Sequence, residues 1–159
     1  MVVADTSPLN YLVLTGYEYI LPAIHGTVLI PPAVRQELLS PAAPALVRAW
    51  TSAPPHWIKE AEPSSNLLRD AELASLHNGE RGAIALAASR GLSILLIDEW
   101  PARRIAVRKG FRVTGTLGIL DEAAHRKLVS LPEAVGKLKA TSFRYPAGLV
   151  EKLLAQHAD

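Results

Sequence analysis

"LSILLIDEWPARRIAVRKGFRVTG", residues 92–115, decides the fold. Leu92 to Ile97 is a short, bounded apolar run that reads as a buried strand and ends on Asp98. Glu99 to Gly110 spaces apolar residues helically among arginines and closes on glycine, which reads as a helix with its stop signal. "FRVTG", 111–115, is again short and β-branched. Strand, helix and strand in so little chain form a crossover unit, whose two strands run parallel.

The same alternation continues in both directions. Towards the N-terminus, "VVAD" (2–5) reads as the first strand and "SPLNYLVLTG" (7–16) as a helix, with Thr6 or Ser7 as cap, Pro8 in its first turn and Gly16 as its stop. "TVLIP" (27–31) is a second strand, and "PAVRQELL" (32–39) a helix that Pro32 opens. Residues 40–65 are rich in Pro and Ala and predict one irregular helix with a short strand in "HWIKEAE" (56–62). "NGERGAIALAASRG" is a helix between Asn78 and Gly91, and "TLGILDEAAHRKL" (116–128) a helix capped by Thr116. Two further helices are predicted over 132–139 and 146–157. Alternation of this kind argues for a parallel sheet flanked by helices.

A chain of 159 residues, 49% apolar and 20% charged, is expected to form one globular domain over 1–159 with a core that needs no staples. It has no cysteine, no basic leader and no apolar run near the roughly 20 residues of a membrane span, so the expectation is a soluble, cytoplasmic protein. The net charge of +2 is unevenly divided. Residues 1–80 carry four Lys/Arg against eight Asp/Glu, and residues 81–159 carry thirteen against seven. Such polarity suits a polyanionic partner beside an acidic site. "ARRIAVRKGFR" (102–112) is the densest basic stretch, and a solvated helix face is the competing reading of it.

Sites in open parallel sheets form at the carboxyl ends of the strands. Asp5 and Asp98 both fall there. Glu37 lies at the edge of the apolar stripe of its helix, and Glu80 precedes Ala83, Ile84 and Ala87 at spacings that put it on the core-facing stripe. Each acid has an ordinary role open to it: a turn for Asp5, solvation for Glu37, the start of the next helix for Asp98 with Glu99. For Glu80 that role is stabilising a helix N-terminus, worth about 0.3–1 kcal/mol. Four such acids in one small α/β chain repel unless a cation neutralises them, and hard oxygen ligands select Mg²⁺ or Mn²⁺.

"VVADTSPL", "IPPAVRQELL", "GERGAIALA", "LLIDEWPARRIA" and "VTGTLGIL" follow one another in an order and spacing that resemble the PIN-domain nucleases, the VapC-like toxins of bacterial and archaeal toxin–antitoxin pairs, in their DTSPL-bearing branch. The likeness covers nearly the whole chain and is weakest over 41–75. It implies a three-layer α/β/α sandwich with a central parallel sheet. It also implies a metal-dependent endoribonuclease whose acidic quartet is Asp5, Glu37, Glu80 and Asp98. Glu80 stands where many such nucleases carry aspartate, and adjacent Asp98 and Glu99 replace a frequent Asp-x-Asp. Glu99 is then either a substitute ligand or an i,i+4 partner of Arg103.

The implied reaction is hydrolysis of an RNA phosphodiester with Mg²⁺ or Mn²⁺, Asp5 and Asp98 being the first choices as ligands, with Glu37 and Glu80 beside them. Thr6, Ser7 and Thr116 are candidates for orienting a ligand or water, with helix capping the competing role of each. Arg103 or Arg104 is a candidate grip on phosphate. Single-stranded or looped RNA suits an open acidic groove better than a duplex does. Trp50, Trp57 and Trp100 are read as core or interface filling ahead of base stacking. His25, His56, His77, His125 and His157 share no metal-ligand spacing, which argues against zinc. The resemblance further implies a cognate antitoxin that inserts a basic side chain into the groove. "PLNYLVL" and "LVEKLLAQ" are candidate homodimer faces, with core packing the equal alternative. Two rivals remain: a catalytically degraded relative that only binds RNA or antitoxin, and a phospho-acceptor or nucleotide-binding domain, which the lack of a Gly-rich phosphate loop disfavours.

Overall fold

A computed structural model describes residues 1–157. Five short strands, β1 (Val2–Ala4), β2 (Val28–Ile30), β3 (Ile58–Glu60), β4 (Ile94–Leu96) and β5 (Arg112–Thr114), form one sheet in the order β3-β2-β1-β4-β5. Every pairing is parallel, with Val2 opposite Val28, Val3 opposite Leu95 and Leu95 opposite Val113. Successive strand residues face opposite sides, so even a strand of this length feeds two cores. Val2, Ala4, Val28, Ile30 and Leu96 enter one core, while Val3, Leu29, Leu95 and Ile97 enter the other. The first core is covered by α1 (Thr6–Thr15), α2 (Ile20–His25), α8 (Thr116–His125) and α9 (Leu131–Lys139), and the second by α6 (Asn78–Arg90) and α7 (Trp100–Arg108). Burial on both faces explains why the strands read as continuous apolar runs. The result is the α/β/α sandwich that the resemblance implies.

The strand order reverses once. The chain moves outwards from β1 through β2 to β3, then returns to place β4 and β5 on the other side of β1. The connections leaving β1 and β4 therefore diverge, and a crevice opens at their carboxyl ends. Asp5 is the residue after β1, and its N–H donates to the Leu96 carbonyl at 2.9 Å, tying the two strand ends together. Asp98 follows β4 by two residues.

The helices α3 (Pro32–Leu39), α4 (Ala45–Ser52), α5 (Ser65–Leu68) and α10 (Leu149–Gln156) complete the chain with a 3-10 turn at Ala71–Leu73. Gly16 ends α1 at φ 78°, in the left-handed region that a side chain resists. Small residues let α6 approach closely: a Cβ at Gly82 would stand 3.1 Å from Pro31 Cγ.

Several boundaries differ from expectation. The irregular helix expected within 40–65 is α4, the strand in "HWIKEAE" is the edge strand β3, and the last helix begins at Leu149 rather than at 146. Helix α2 lies outside the expected elements, because its prolyl and isoleucyl content carries little helix propensity and its formation depends on burying Ile20 and Leu21. None of Thr6, Ser7 and Thr116 is a cap. The N-cap positions are Asp5 and Gly115, neither with a side-chain capping bond, and the three hydroxyls point elsewhere. The apolar residues of "PLNYLVL" and "LVEKLLAQ" pack largely inside this chain: Leu9, Leu12, Val13 and Val150 are buried in the first core. Among the described residues no helix is long and apolar enough to cross a membrane.

Candidate active site

Asp5 is 3% exposed, and its Oδ1 is buried without a hydrogen-bond partner. Burial pushes the carboxyl pKa up from 3.8 to about 7; the Thr6 backbone N–H opposes this, and the charges of Glu80, Glu37 and Asp98 add to it. An acid so placed is unfavourable as an anion. Its orphaned oxygen, in the company of other carboxylates, has the unmet bonding capacity that a hard divalent cation satisfies.

Glu37 reaches the same place from α3. The Thr6 hydroxyl donates to its Oε2, and the Gly79 N–H donates to its Oε1 at 3.0 Å. Glycine at 79 leaves room for the Glu37 carboxylate, which a Cβ there would displace. The next residue is Glu80, which is 5% exposed and accepts the His77 N–H at 3.1 Å through Oε1. That bond closes the first turn of α6 and turns the longer side chain back towards the helix start. Burial raises the Glu80 pKa; the His77 N–H and ring lower it, and Glu99 and Glu37 raise it further.

Asp98 is held more firmly. Thr116 donates its N–H to Oδ1 at 2.6 Å and its hydroxyl to Oδ2 at 2.7 Å, and the Ser7 hydroxyl donates to Oδ2 at 2.8 Å. A Cβ at Gly115 would lie 2.7 Å from Asp98 Oδ1 and 2.7 Å from Arg103 Nη1, so a larger residue would push both side chains aside. The Thr116→Val variant keeps shape and backbone donor but loses the hydroxyl. With Asp98 as a ligand of a divalent cation, the expected effect is a fall of about 10- to 100-fold in Mn²⁺ affinity, the range for lost outer partners of metal ligands, measured by isothermal titration. Unchanged affinity would show that Asp98 needs no such support.

An open cleft of about 450 Å³ is lined by Asp5, Thr6, Ser7, Glu37, Glu80 and Glu99. A larger cavity of about 1150 Å³ adjoins it, sharing Ser7, Tyr11 and Glu99, and is lined by Asp98, Trp100, Arg103, Phe143 and Tyr145 among others. Arg103 Nη1 donates to the Ile97 carbonyl at 3.0 Å, and among the described residues no Glu99–Arg103 ion pair forms. Arg104 is exposed and lines neither space. In the basic stretch, Lys109 pairs with Asp70 at 2.6 Å and Arg108 with Glu72 at 3.4 Å. Trp50 and Trp57 pack on the first core with ring centroids 6.0 Å apart, whereas Trp100 is 70% exposed at the rim of the larger cavity rather than filling a core.

Two features of this end of the sheet lie at its switch point: strand-end aspartates on β1 and β4, and glutamates leaning in from α3 and α6. A family model described as a PIN domain matches residues 1–159. The chain belongs to the PIN-domain family. PIN domains are generally nucleases and typically use divalent metal ions. No curated protein and no solved structure matches the chain.

Sequence spacing missed some residues of this PIN domain. Gly79 and Gly115 leave space for Glu37 and Asp98, and only the contact across the fold shows it. The histidines group in space although not in sequence: His125 and His157, from α8 and the end of α10, meet at Asp121, their ligand atoms within 4.8 Å of one another.

Proposed function

We propose that this PIN domain is a metal-dependent endoribonuclease and the toxin of a toxin–antitoxin pair. The observation that carries the reading is the buried Asp5 carboxylate, one oxygen unpartnered, surrounded by Glu37, Glu80 and Asp98. Asp5 and Asp98 would hold Mg²⁺ or Mn²⁺, with Glu37 and Glu80 completing the oxygen shell directly or through water. The cation, when bound, supplies positive charge that acidifies the attacking water and neutralises the departing oxygen. Thr6 orients Glu37 in the cleft, and Ser7 and Thr116 orient Asp98 on the wall of the adjoining cavity. Glu99, exposed at the border of the two cavities, is placed to add a further oxygen. Arg103 offers its remaining N–H donors to phosphate from the wall of the larger cavity. Exposed Trp100 and the partly exposed Tyr145 give unstacked bases an aromatic surface, which favours single-stranded or looped RNA. The same acidic cleft suits a basic side chain presented by a cognate antitoxin.

The test is cleavage of a labelled pool of structured RNAs, with single-stranded DNA of matched length alongside. RNA cleavage in Mg²⁺ or Mn²⁺ that stops on adding EDTA is the expected result. Binding of RNA without cleavage, in both metals, would overturn it in favour of an inactive relative in which Glu80 serves only the start of α6.

A further inference from the structure

We propose that Asp121, His125 and His157 form a transition-metal site, best suited to Zn²⁺, that ties the end of α10 to α8. Asp121 and His125 lie four residues apart and so share one face of α8, and His157 arrives from the C-cap of α10. His157 Nε2 is 2.7 Å from Asp121 Oδ1, His125 Nδ1 is 3.6 Å from the same oxygen, and the two rings meet edge-on with centroids 4.3 Å apart. Tetrahedral coordination at about 2.0–2.1 Å separates ligand atoms by about 3.3 Å, a value the two distances bracket.

The donor set differs in kind from the carboxylate cleft. Two imidazoles and one carboxylate favour Zn²⁺ and its neighbours over Mg²⁺, and three protein ligands leave a fourth position for water. His125 is the exposed member, its side chain 59% accessible, so that position opens to solvent, while His157 and Asp121 are 15% and 24% accessible. His157 Nε2 faces Asp121 Oδ1, and His125 Nδ1 faces the Asp121 carbonyl at 2.9 Å. An ion held here would take the lone pairs of those two nitrogens, each neutral imidazole then carrying its hydrogen on the other nitrogen.

The site has a structural task available to it. Helix α10 has eight residues and buries only Val150 completely, so it depends on docking rather than on its own helix propensity. Its Leu149 and Leu153 also line the larger cavity beside the carboxylates. A metal at Asp121, His125 and His157 would hold that wall in place.

The experiment titrates Co²⁺ into the full chain carrying Asp5→Asn and Asp98→Asn, which weakens the carboxylate cleft as a competing site. Four-coordinate Co²⁺ with imidazole ligands absorbs visible light far more strongly than the six-oxygen ion. The expected result is one equivalent of such absorption, displaced by Zn²⁺, with affinity reduced about tenfold or more by His157→Ala and by His125→Ala, since even an outer partner is worth about that much. His125 is exposed, so its removal leaves folding intact, and circular dichroism checks both variants. Zn²⁺ should also slow tryptic cleavage after Lys152 in α10. Absence of the absorption, or equal Co²⁺ affinity in both histidine variants and their parent, would overturn the proposal. Either failure leaves the nuclease reading untouched, because the cleft carboxylates are outside the measurement.

Discussion

RNA cleavage by the Asp5→Asn/Asp98→Asn variant falls by at least about 10³-fold, with the fold retained. The two substitutions are nearly isosteric, and the amide that replaces the Asp98 carboxylate keeps an acceptor for the Thr116 N–H, which meets Oδ1 at 2.6 Å in the native chain. What they remove is negative charge at the two strand ends of the switch point. Without it a divalent cation would be left with Glu37, Glu80 and Glu99, of which Glu80 already accepts the His77 N–H. Charge stabilisation by a metal is worth several kcal/mol in the transition state, and each ~1.36 kcal/mol is tenfold in rate. Single-turnover cleavage at saturating Mn²⁺, compared with circular dichroism of the same samples, measures the effect. A well-folded double variant that retained wild-type rates would remove the carboxylates from the chemistry and with them the proposed mechanism.

Asp5→Asn alone stabilises the metal-free protein at pH 8, by up to about 4 kcal/mol. The folded-state pKa of Asp5 lies at about 7, above the ordinary 3.8, chiefly through burial. Between those values the folded chain binds a proton that the unfolded chain does not. Stability from Asp5 is therefore full below about pH 3.8 and is lost as pH rises through about 7. The span of that gap, at ~1.36 kcal/mol for each pH unit, sets the upper limit of about 4 kcal/mol. Urea denaturation in EDTA at pH 5 and pH 8 tests this. The gap in stability between wild type and Asp5→Asn should widen towards pH 8 and close again for the wild type when Mn²⁺ is added. Parallel pH profiles for the two proteins would mean that Asp5 is ordinary. Glu80, whose pKa is also raised by burial, titrates in both proteins, and only its coupling to the Asp5 charge enters the comparison. On the proposed mechanism Asp5 costs stability as a buried anion, and a bound cation would relieve that cost.

Much of this was legible in residue order. "LSILLID" and "VVAD" are apolar because both sheet faces are covered, and the crossover between 92 and 115 forces parallel pairing, so the layers followed from local pattern. Glu80 was placed on the inward stripe of its helix by spacing alone, and it is buried. The helix α2 and the start of α10 were less legible, because their formation rests on what they pack against rather than on propensity.

By itself the sequence determined the parallel α/β alternation, the strand-end positions of Asp5 and Asp98, and the helices that carry Glu37 and Glu80. These are consequences of period and burial, which act over a few residues. Only the tertiary structure decided what the hydroxyls of Thr6, Ser7 and Thr116 do. Capping and carboxylate binding use the same short side chain, and for Thr6 and Ser7 the choice turns on Glu37 and Asp98 arriving from 31 and 91 residues away. The same reach across the fold set the Glu37 and Asp98 carboxylates against Gly79 and Gly115, left Asp5 Oδ1 without a partner, and brought His157 to Asp121. Contacts between distant segments have no periodicity to read, since they are set by how the layers stack and where the strand order reverses.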